Sequence, residues 1–334
     1  MGHGAGGGLT QEIIELARAA FASPHLDGLD SAVLPPASGR IAFTTDSYVI
    51  RPIFFPGGDI GRIAVCGTVN DLSVVGAVPR YLSCGLILEE GLPLESLERV
   101  LASMAQAARE AEVQIVTGDT KVVEKGHGDG IYINTAGIGF IPEGLDLSGR
   151  DIMEGDLILV SGFLGDHAMT IMNLRESLGF DSALLSDCAP LGGLAATLIA
   201  CGGIKFMRDL TRGGLAAALH ELADLRGLAV ELEEESLPVR DGVRVLSEIL
   251  GIDPLGMANE GKLVAVVGEA DAGRTLDSMR AHPLGRDAAI VGRVTTRTEG
   301  RTQGRVGGQV SLRTVTGGKR LVPRPSGEKL PRIC

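Results

Sequence analysis

Tryptophan is absent from this chain and tyrosine occurs three times, which argues against a surface that stacks nucleic-acid bases on aromatic rings. Paired cysteines are missing as well. The five thiols, at positions 66, 84, 188, 201 and 334, form no Cys-x-x-Cys, and an odd number suits free thiols in a reducing compartment rather than a disulfide framework. No apolar run approaches the ~20 residues of a membrane span, and the opening Met-Gly-His-Gly lacks the apolar stretch of a secretory signal, so a cytoplasmic protein is expected. Gly2 heads no myristoylation motif, because Gly6 stands where a hydroxyl residue is needed. The Walker spacing, the strand-to-helix fingerprint of a Rossmann domain, H-E-x-x-H and G-x-S-x-G are missing too, which sets aside P-loop, hydride-transfer, zinc-hydrolase and α/β-hydrolase chemistry. Positive charge is in deficit. A formal net charge of -11 repels nucleic acid and anionic membranes, so an anionic ligand must be held locally by a cation, a lysine or backbone amides.

What is present is glycine, 48 residues of it, in a chain of 334 that is long enough for two α/β domains. Leu9, Ile13, Leu16, Ala17 and Ala20 follow helical spacing, and Ser23-Pro24 ends that run. Residues 41–50 and 131–140 read as strands. Between them a stripe of Leu94, Leu97, Leu101, Met104 and Ala108 predicts a helix opened by Pro93. The turn-rich PEGLDLSG before the apolar DLILVSG marks a boundary at 149–150, followed by a helix at 214–224 and strands at 263–267 and 289–294. This divides the chain into a first domain, 1–150, a second, 151–315, and a proline-spaced basic segment, 316–334, expected to be a mobile tail.

Aspartates recur at strand ends and loops: Asp30, Asp46, Asp71, Asp119 and Asp209. One aspartate in a turn is ordinarily a helix cap or Asx-turn; five in similar small-residue settings point to magnesium with a bound polyphosphate. Lys121, two residues beyond Asp119, can neutralise a transferring phosphoryl group, and Glu260, just before an apolar strand with Lys262, can serve as a general base. A surface lysine and an isolated salt bridge are the plainer alternatives. The glycine-rich SGFLGDH is a weak phosphate-loop signal, and His167 within it reads as structural. Cys66 and Cys84, in apolar surroundings, read as small buried hydrophobes. Cys334 differs, because it ends a basic arm from which a thiol can visit a site and also meet another protein.

The segments TTDSYVI, the long block from PIFFPGGDIGRIAVCGTVNDLS to ILEEGLP, VTGDTKVV, INTAGIG, LVSGFLGDH, RDLTRGG, NEGKL and the final LPRIC resemble the HypE family of the PurM-like ATP-binding superfamily over the whole chain. The resemblance implies a two-domain α/β fold in a homodimer whose N-terminal domains join into a barrel-like sheet, with ATP and Mg2+ between the domains. It implies that Asp30, Asp46, Asp71, Asp119 and, less directly, Asp209 line the metal site, with Asn70 beside the nucleotide and Lys121 and Glu260 near the reacting end. Cys334 would take a carbamoyl group from HypF, undergo ATP-dependent dehydration to a thiocyanate, and deliver cyanide to a HypC-HypD complex. A small-molecule synthetase or kinase using the same aspartates, and a scaffold that presents Cys334 without hydrolysing ATP, are the competing readings.

Overall fold

The computed structural model describes residues 8–25, 31–176, 178–179, 184–296 and 308–325, so the expectations placed on Asp30 and Cys334 lie outside the described residues. The first expected helix is α1 (Gly8–Phe21), followed by strand β1 (Arg40–Tyr48) and a small hairpin, β2 (Phe54–Phe55) and β3 (Gly58–Asp59). Asp59 then caps α2 (Ile60–Val74), its side chain accepting from the Arg62 amide at 2.9 Å. Strand β4 (Val78–Glu89), helix α3 (Leu94–Glu110), β5 (Gln114–Val123) and β6 (Ile131–Ile141) complete the first unit. Leu97, Leu101, Met104 and Ala108 form the buried stripe of α3, while Leu94 is exposed.

The sheet runs β1-β6-β4-β5, antiparallel throughout except for β4 and β5, which are parallel because α3 carries the chain back between them. One face is covered by α2, a helix buried on nearly all sides, as its small and aliphatic sequence IGRIAVCGTVNDLSV allows. Thr135 of β6 ties the two together, its hydroxyl donating to the Ala64 carbonyl at 2.9 Å. The other face is bare in the single chain, with Ile41, Phe43, Val78 and Ile87 all exposed.

The second unit contains β7 (Leu157–Val160), α4 (Asp166–Arg175), α5 (Gly192–Cys201), β8 (Ile204–Asp209), α6 (Gly214–Arg226), β9 (Ala229–Glu233), α7 (Asp241–Leu250), β10 (Leu263–Val267), α8 (Glu269–Ala281), β11 (Ala289–Thr295), β12 (Gln309–Arg313) and β13 (Lys319–Leu321). They form a mixed sheet in the order β13-β12-β9-β11-β7-β10-β8. Every residue of β10 is buried, because alternate side chains serve opposite layers: Val264 and Val266 join the α6 core with Leu215 and Leu219, while Leu263 and Ala265 join the α5–α8 core with Leu198 and Met279.

Residues 316–325, expected to belong to a mobile tail, are tied into the second sheet. Strand β13 pairs antiparallel with β12, the Val322 amide donates to the Val310 carbonyl at 3.0 Å, and Val322 is buried. Basic residues read as signs of mobility are used in ion pairs instead: Lys319 with Glu231, Arg320 with Asp253 and Arg324 with Asp224.

The first apolar core does not stop at the unit boundary. It runs from Ile63 and Val100 to Met169, Leu246 and Met257 of the second unit. The closest approach on the α2 seam is at Gly67, where a Cβ would lie 2.3 Å from the Tyr48 hydroxyl. Gly67→Ala therefore displaces Tyr48 from its place between β1 and α2, and we expect a loss of about 1–3 kcal/mol of stability, read as a lowered denaturant midpoint at unchanged slope.

Candidate active site

Alternation along β1 turns Thr44, Asp46 and Tyr48 toward α2. Thr44 Oγ1 donates to Asp71 Oδ2 at 2.8 Å, and the Tyr48 hydroxyl reaches Asp46 Oδ2 at 3.4 Å. The carboxyls of Asp46 and Asp71 are themselves in hydrogen-bonding contact; burial first, and the Asp71 charge second, push Asp46 up to about 6 against the pull of Arg212. Asp209, the last residue of β8, is brought to the same place by pairing opposite Leu263. Burial, and then the charge of Asp71, push its carboxyl up to about 7.

Glu260 stands at the entrance to β10 and is 2 % exposed. Burial, then the charges of Asp187 and Asp209, hold its carboxyl well above the ordinary carboxylate range. Its Oε1 has no hydrogen-bond partner. The Glu260 amide donates to Asp187 Oδ1 at 3.0 Å, and Lys262 Nζ lies 3.3 Å from Asp187 Oδ2, so Asp187 joins the two residues the sequence had paired. Gly261 between them is dictated by space. A Cβ there would meet the Asp187 carbonyl oxygen at 1.9 Å.

Asn70, expected beside a nucleotide, is otherwise occupied. Its Nδ2 donates to the carbonyls of Ala189 at 3.1 Å and Glu260 at 3.3 Å, and its Oδ1 accepts from the Leu191 amide at 2.7 Å. It is thus a tie from α2 to the second unit. Asp119 and Lys121 are placed apart from the cluster. Asp119 pairs with Gly85, Gly85 with Asn134 and Asn134 with Ser47, a row on the exposed outer face, whereas Asp46 pairs with Thr135 on the face against α2. Three strand spacings, roughly 14 Å, also separate β5 from β1. Within one chain the structure therefore gathers Asp46, Asp71, Asp209 and Glu260, and leaves Asp119 and Lys121 on the opposite side of the sheet.

Two residues at the cluster were not singled out from sequence. Arg212 lies in the quoted RDLTRGG, three positions beyond Asp209, and its positive charge acts on Asp46. Asp187 sits in LLSDCAPL, where nothing local marks it; only the fold brings it to Glu260. His167 is buried and shares a 2.8 Å contact with Ser186 Oγ, as a structural histidine should. Cys66 and Cys84 are buried, and burial pushes the Cys84 thiol up to about 12.

Among the described residues no three His, Cys, Asp or Glu side chains converge closely enough to cage a bare metal ion. The donor set nevertheless fits magnesium, which keeps several waters and takes one or two carboxylates plus phosphate oxygens. The carboxylates are hard oxygen ligands, mutually repelling and in want of positive charge. Asp46 and Asp209, protonated more readily in the folded chain than in the unfolded one, favour folding fully below about pH 4, and that contribution is lost as pH rises through about 6 and 7. Thermal scans without metal should show stability falling over that interval. Asp209→Asn should flatten the fall and raise the midpoint at pH 8; a slope unchanged by this substitution counts against the charge crowding.

Two family models cover the chain: the AIR synthase related protein N-terminal domain at residues 28–141 and its C-terminal domain at residues 153–305. The carbamoyl dehydratase HypE of Escherichia coli (strain K12) is 50% identical over 341 residues, covering 100% of this chain and 98% of that protein. A crystal structure of the hydrogenase maturation protein HypE in complex with ATP superposes with a TM-score of 0.93 at 47% identity, covering 100% of this chain and 99% of the other. The HypE chain of a HypE-HypF complex matches with a TM-score of 0.81 at 45% identity, covering 96% and 100%. With full-length identity at this level and both domain types in order, this chain belongs to the HypE family of carbamoyl dehydratases.

Proposed function

We propose that this chain carries out the ATP-dependent dehydration of an S-carbamoyl group on Cys334 to a thiocyanate, supplying cyanide ligands for the iron of [NiFe]-hydrogenase. The observation that carries the reading is the crowding of Asp46, Asp71 and Asp209 against the buried Glu260 at the seam of the two units. Negative charge at this density is held where positive charge is to arrive with a substrate. ATP binding by a relative of 47% identity supports ATP as that substrate.

The carbamoyl oxygen is a poor leaving group. Its attack on the γ-phosphorus of ATP breaks the bond to ADP and forms a C–O–P linkage; one nitrogen proton is lost to give the O-phosphorylated imidate S–C(OPO3)=NH, and loss of the second with departure of phosphate leaves S–C≡N. Magnesium, when bound, would supply charge neutralisation at the transferring phosphoryl group. Asp46, Asp71 and Asp209, with Asp30, are the residues that would hold it. Arg212 adds a fixed cation on the same side. Glu260 is our candidate base for a proton leaving nitrogen, and Asp187, through the Glu260 amide and Lys262, fixes its position.

Asp119 and Lys121 enter this site only through a second copy of the chain, since their own sheet stands between them and the cluster. The exposed row of Ile41, Phe43, Val78 and Ile87 on that outer face is the surface a homodimer would bury. The HypE-HypF complex of a relative supports HypF as carbamoyl donor, and a HypC-HypD complex as cyanide acceptor follows from the family resemblance.

Intact mass spectrometry after incubation with HypF, carbamoyl phosphate and ATP tests the chemistry: Cys334 should gain a carbamoyl group that loses water only with hydrolysable ATP and magnesium. Glu260→Gln should accumulate the carbamoyl form, with dehydration slowed about 10²-fold or more. An unmodified Cys334 in a chain that turns over ATP on a small molecule would replace this reading with a synthetase or kinase. Phe43→Glu should shift the sedimentation coefficient from dimer to monomer and abolish dehydration together; a fully active monomer removes Asp119 and Lys121 from the site.

A further inference from the structure

Two protons leave one nitrogen in this reaction, and the departing phosphate, as the hydrogenphosphate dianion, carries off only one of them. The other must pass from the base to solvent, yet Glu260 is buried. A run of polar side chains in the second unit leads away from it. The Glu260 amide donates to Asp187 Oδ1, and Asp187 Oδ2 faces the Lys262 ammonium at 3.3 Å. The 2.8 Å contact between His167 Nδ1 and Ser186 Oγ lays residues 186–187 alongside 166–167 at the start of α4. Asp166 stands in that first turn, buried, its Oδ2 accepting from Arg240 Nε at 3.0 Å. Arg240 lies 3.9 Å over the centre of the Phe163 ring, and its side chain is half exposed. The loop 161–165 closes over the stem of Lys262, since a Cβ at Gly162 would stand 3.2 Å from Lys262 Cε.

Glu260, Asp187 and Asp166 each keep one buried carboxyl oxygen without a hydrogen-bond partner: Oε1, Oδ2 and Oδ1. An unpaired buried acceptor is costly, and holding the fold does not require three of them, because the Glu260 amide and the His167–Ser186 contact already tie these segments together. Burial, over the pull of the Arg240 hydrogen bond, and then the charge of Asp187 hold the Asp166 carboxyl above its ordinary value, so the two carboxyls act on one another.

We propose that Asp187 and Asp166 form the proton exit of Glu260, carrying the proton taken from the carbamoyl nitrogen through the second unit to the surface at Arg240. This rests on the reading of Glu260 as the base. The N–H bond breaks as an O–H bond forms on the Glu260 carboxylate. The same proton then moves to Asp187, on to Asp166 and out to water, each carboxylate being restored behind it, with no change of oxidation state. Each hop needs hydrogen-bond reach or one intervening water, and the three unpaired oxygens are the atoms open to such a water. Arg240 carries nothing, because a guanidinium keeps its protons; it holds Asp166 Oδ2 and leaves Oδ1 as the working end. Lys262 balances the charge of Asp187 between transfers. These residues act on the reaction only through Glu260.

The test uses full-length protein carbamoylated on Cys334 and given ATP and magnesium at pH 8 for a single turnover. Thiocyanate is read by mass spectrometry, ADP by chromatography and released protons by a pH indicator in weak buffer. The parent should give one ADP and one proton per thiocyanate. Asp166→Asn should slow thiocyanate formation on the order of tenfold. It should also raise ADP per thiocyanate above one, because a proton kept on Glu260 returns to the imidate nitrogen and the phosphoryl group is then lost to water, regenerating the carbamoyl form. Asp187→Asn should do the same; should that variant fail to fold, Asp166 alone decides. Formate, small enough to enter the space left by Asp166→Ala, should restore rate and stoichiometry together. Asp166 variants with the parent's rate and stoichiometry overturn the exit. So does a slowed variant that formate leaves slow and whose ADP still matches its thiocyanate, since that is a structural defect. Glu260→Gln dehydrating at the parent's rate removes the base itself, and is told apart because Asp187 and Asp166 are then intact.

Discussion

Carboxylate crowding at the seam of the two units is the constraint on which the rest of the structure depends. Asp46 comes from a strand, Asp71 from a helix, Asp209 from the end of a strand in the other unit, and Glu260 from the turn before its neighbour. None of the four is held in place by a mutual attraction; each is forced there by the apolar packing of its own element. The buried α2 brings Asp71 inward because its other residues have nowhere else to go, and β10 drags Glu260 along because both of its faces belong to a core. Unfavourable charge is thus maintained by favourable burial, a pattern common where a site must be ready for a polyanion and its metal.

This arrangement explains which parts of the chain were legible beforehand. Elements whose period matched a single environment were read closely: 263–267 as a strand, and the α3 stripe from Leu97 to Ala108. The aspartates were legible as a set because they share small-residue settings, but their faces were not. Asp46 and Asp119 look alike in sequence, each at a strand with threonines beside it, yet the register of four strands sends one to α2 and the other to the outer surface. That distinction is a property of pairing, which no local window contains.

The same reasoning accounts for Asn70, Asp187 and the segment after 316. Asn70 was set beside the nucleotide only through the family resemblance; on a helix adjacent residues diverge by about 100°, so Asn70 and Asp71 can serve different partners. Asp187 has no sequence signal, being recruited by the Glu260 amide. Residues 316–325 were taken as tail on proline and basic charge, but the charges have acidic partners 67 or more positions away in sequence, out of reach of a composition argument.

Asn70 also bears on how the molecule works as a machine. One amide side chain stitches the middle of α2 to the backbone at 189, 191 and 260, and the apolar core beneath runs unbroken from one unit into the other. Jaws hinged at such a seam would have to tear both the stitch and the core to open. The cleft is better described as a fixed mould, cast once on folding, so substrates must come to it in their finished shape, and variation among relatives in what they process should arise from what is delivered to the mould rather than from how it closes.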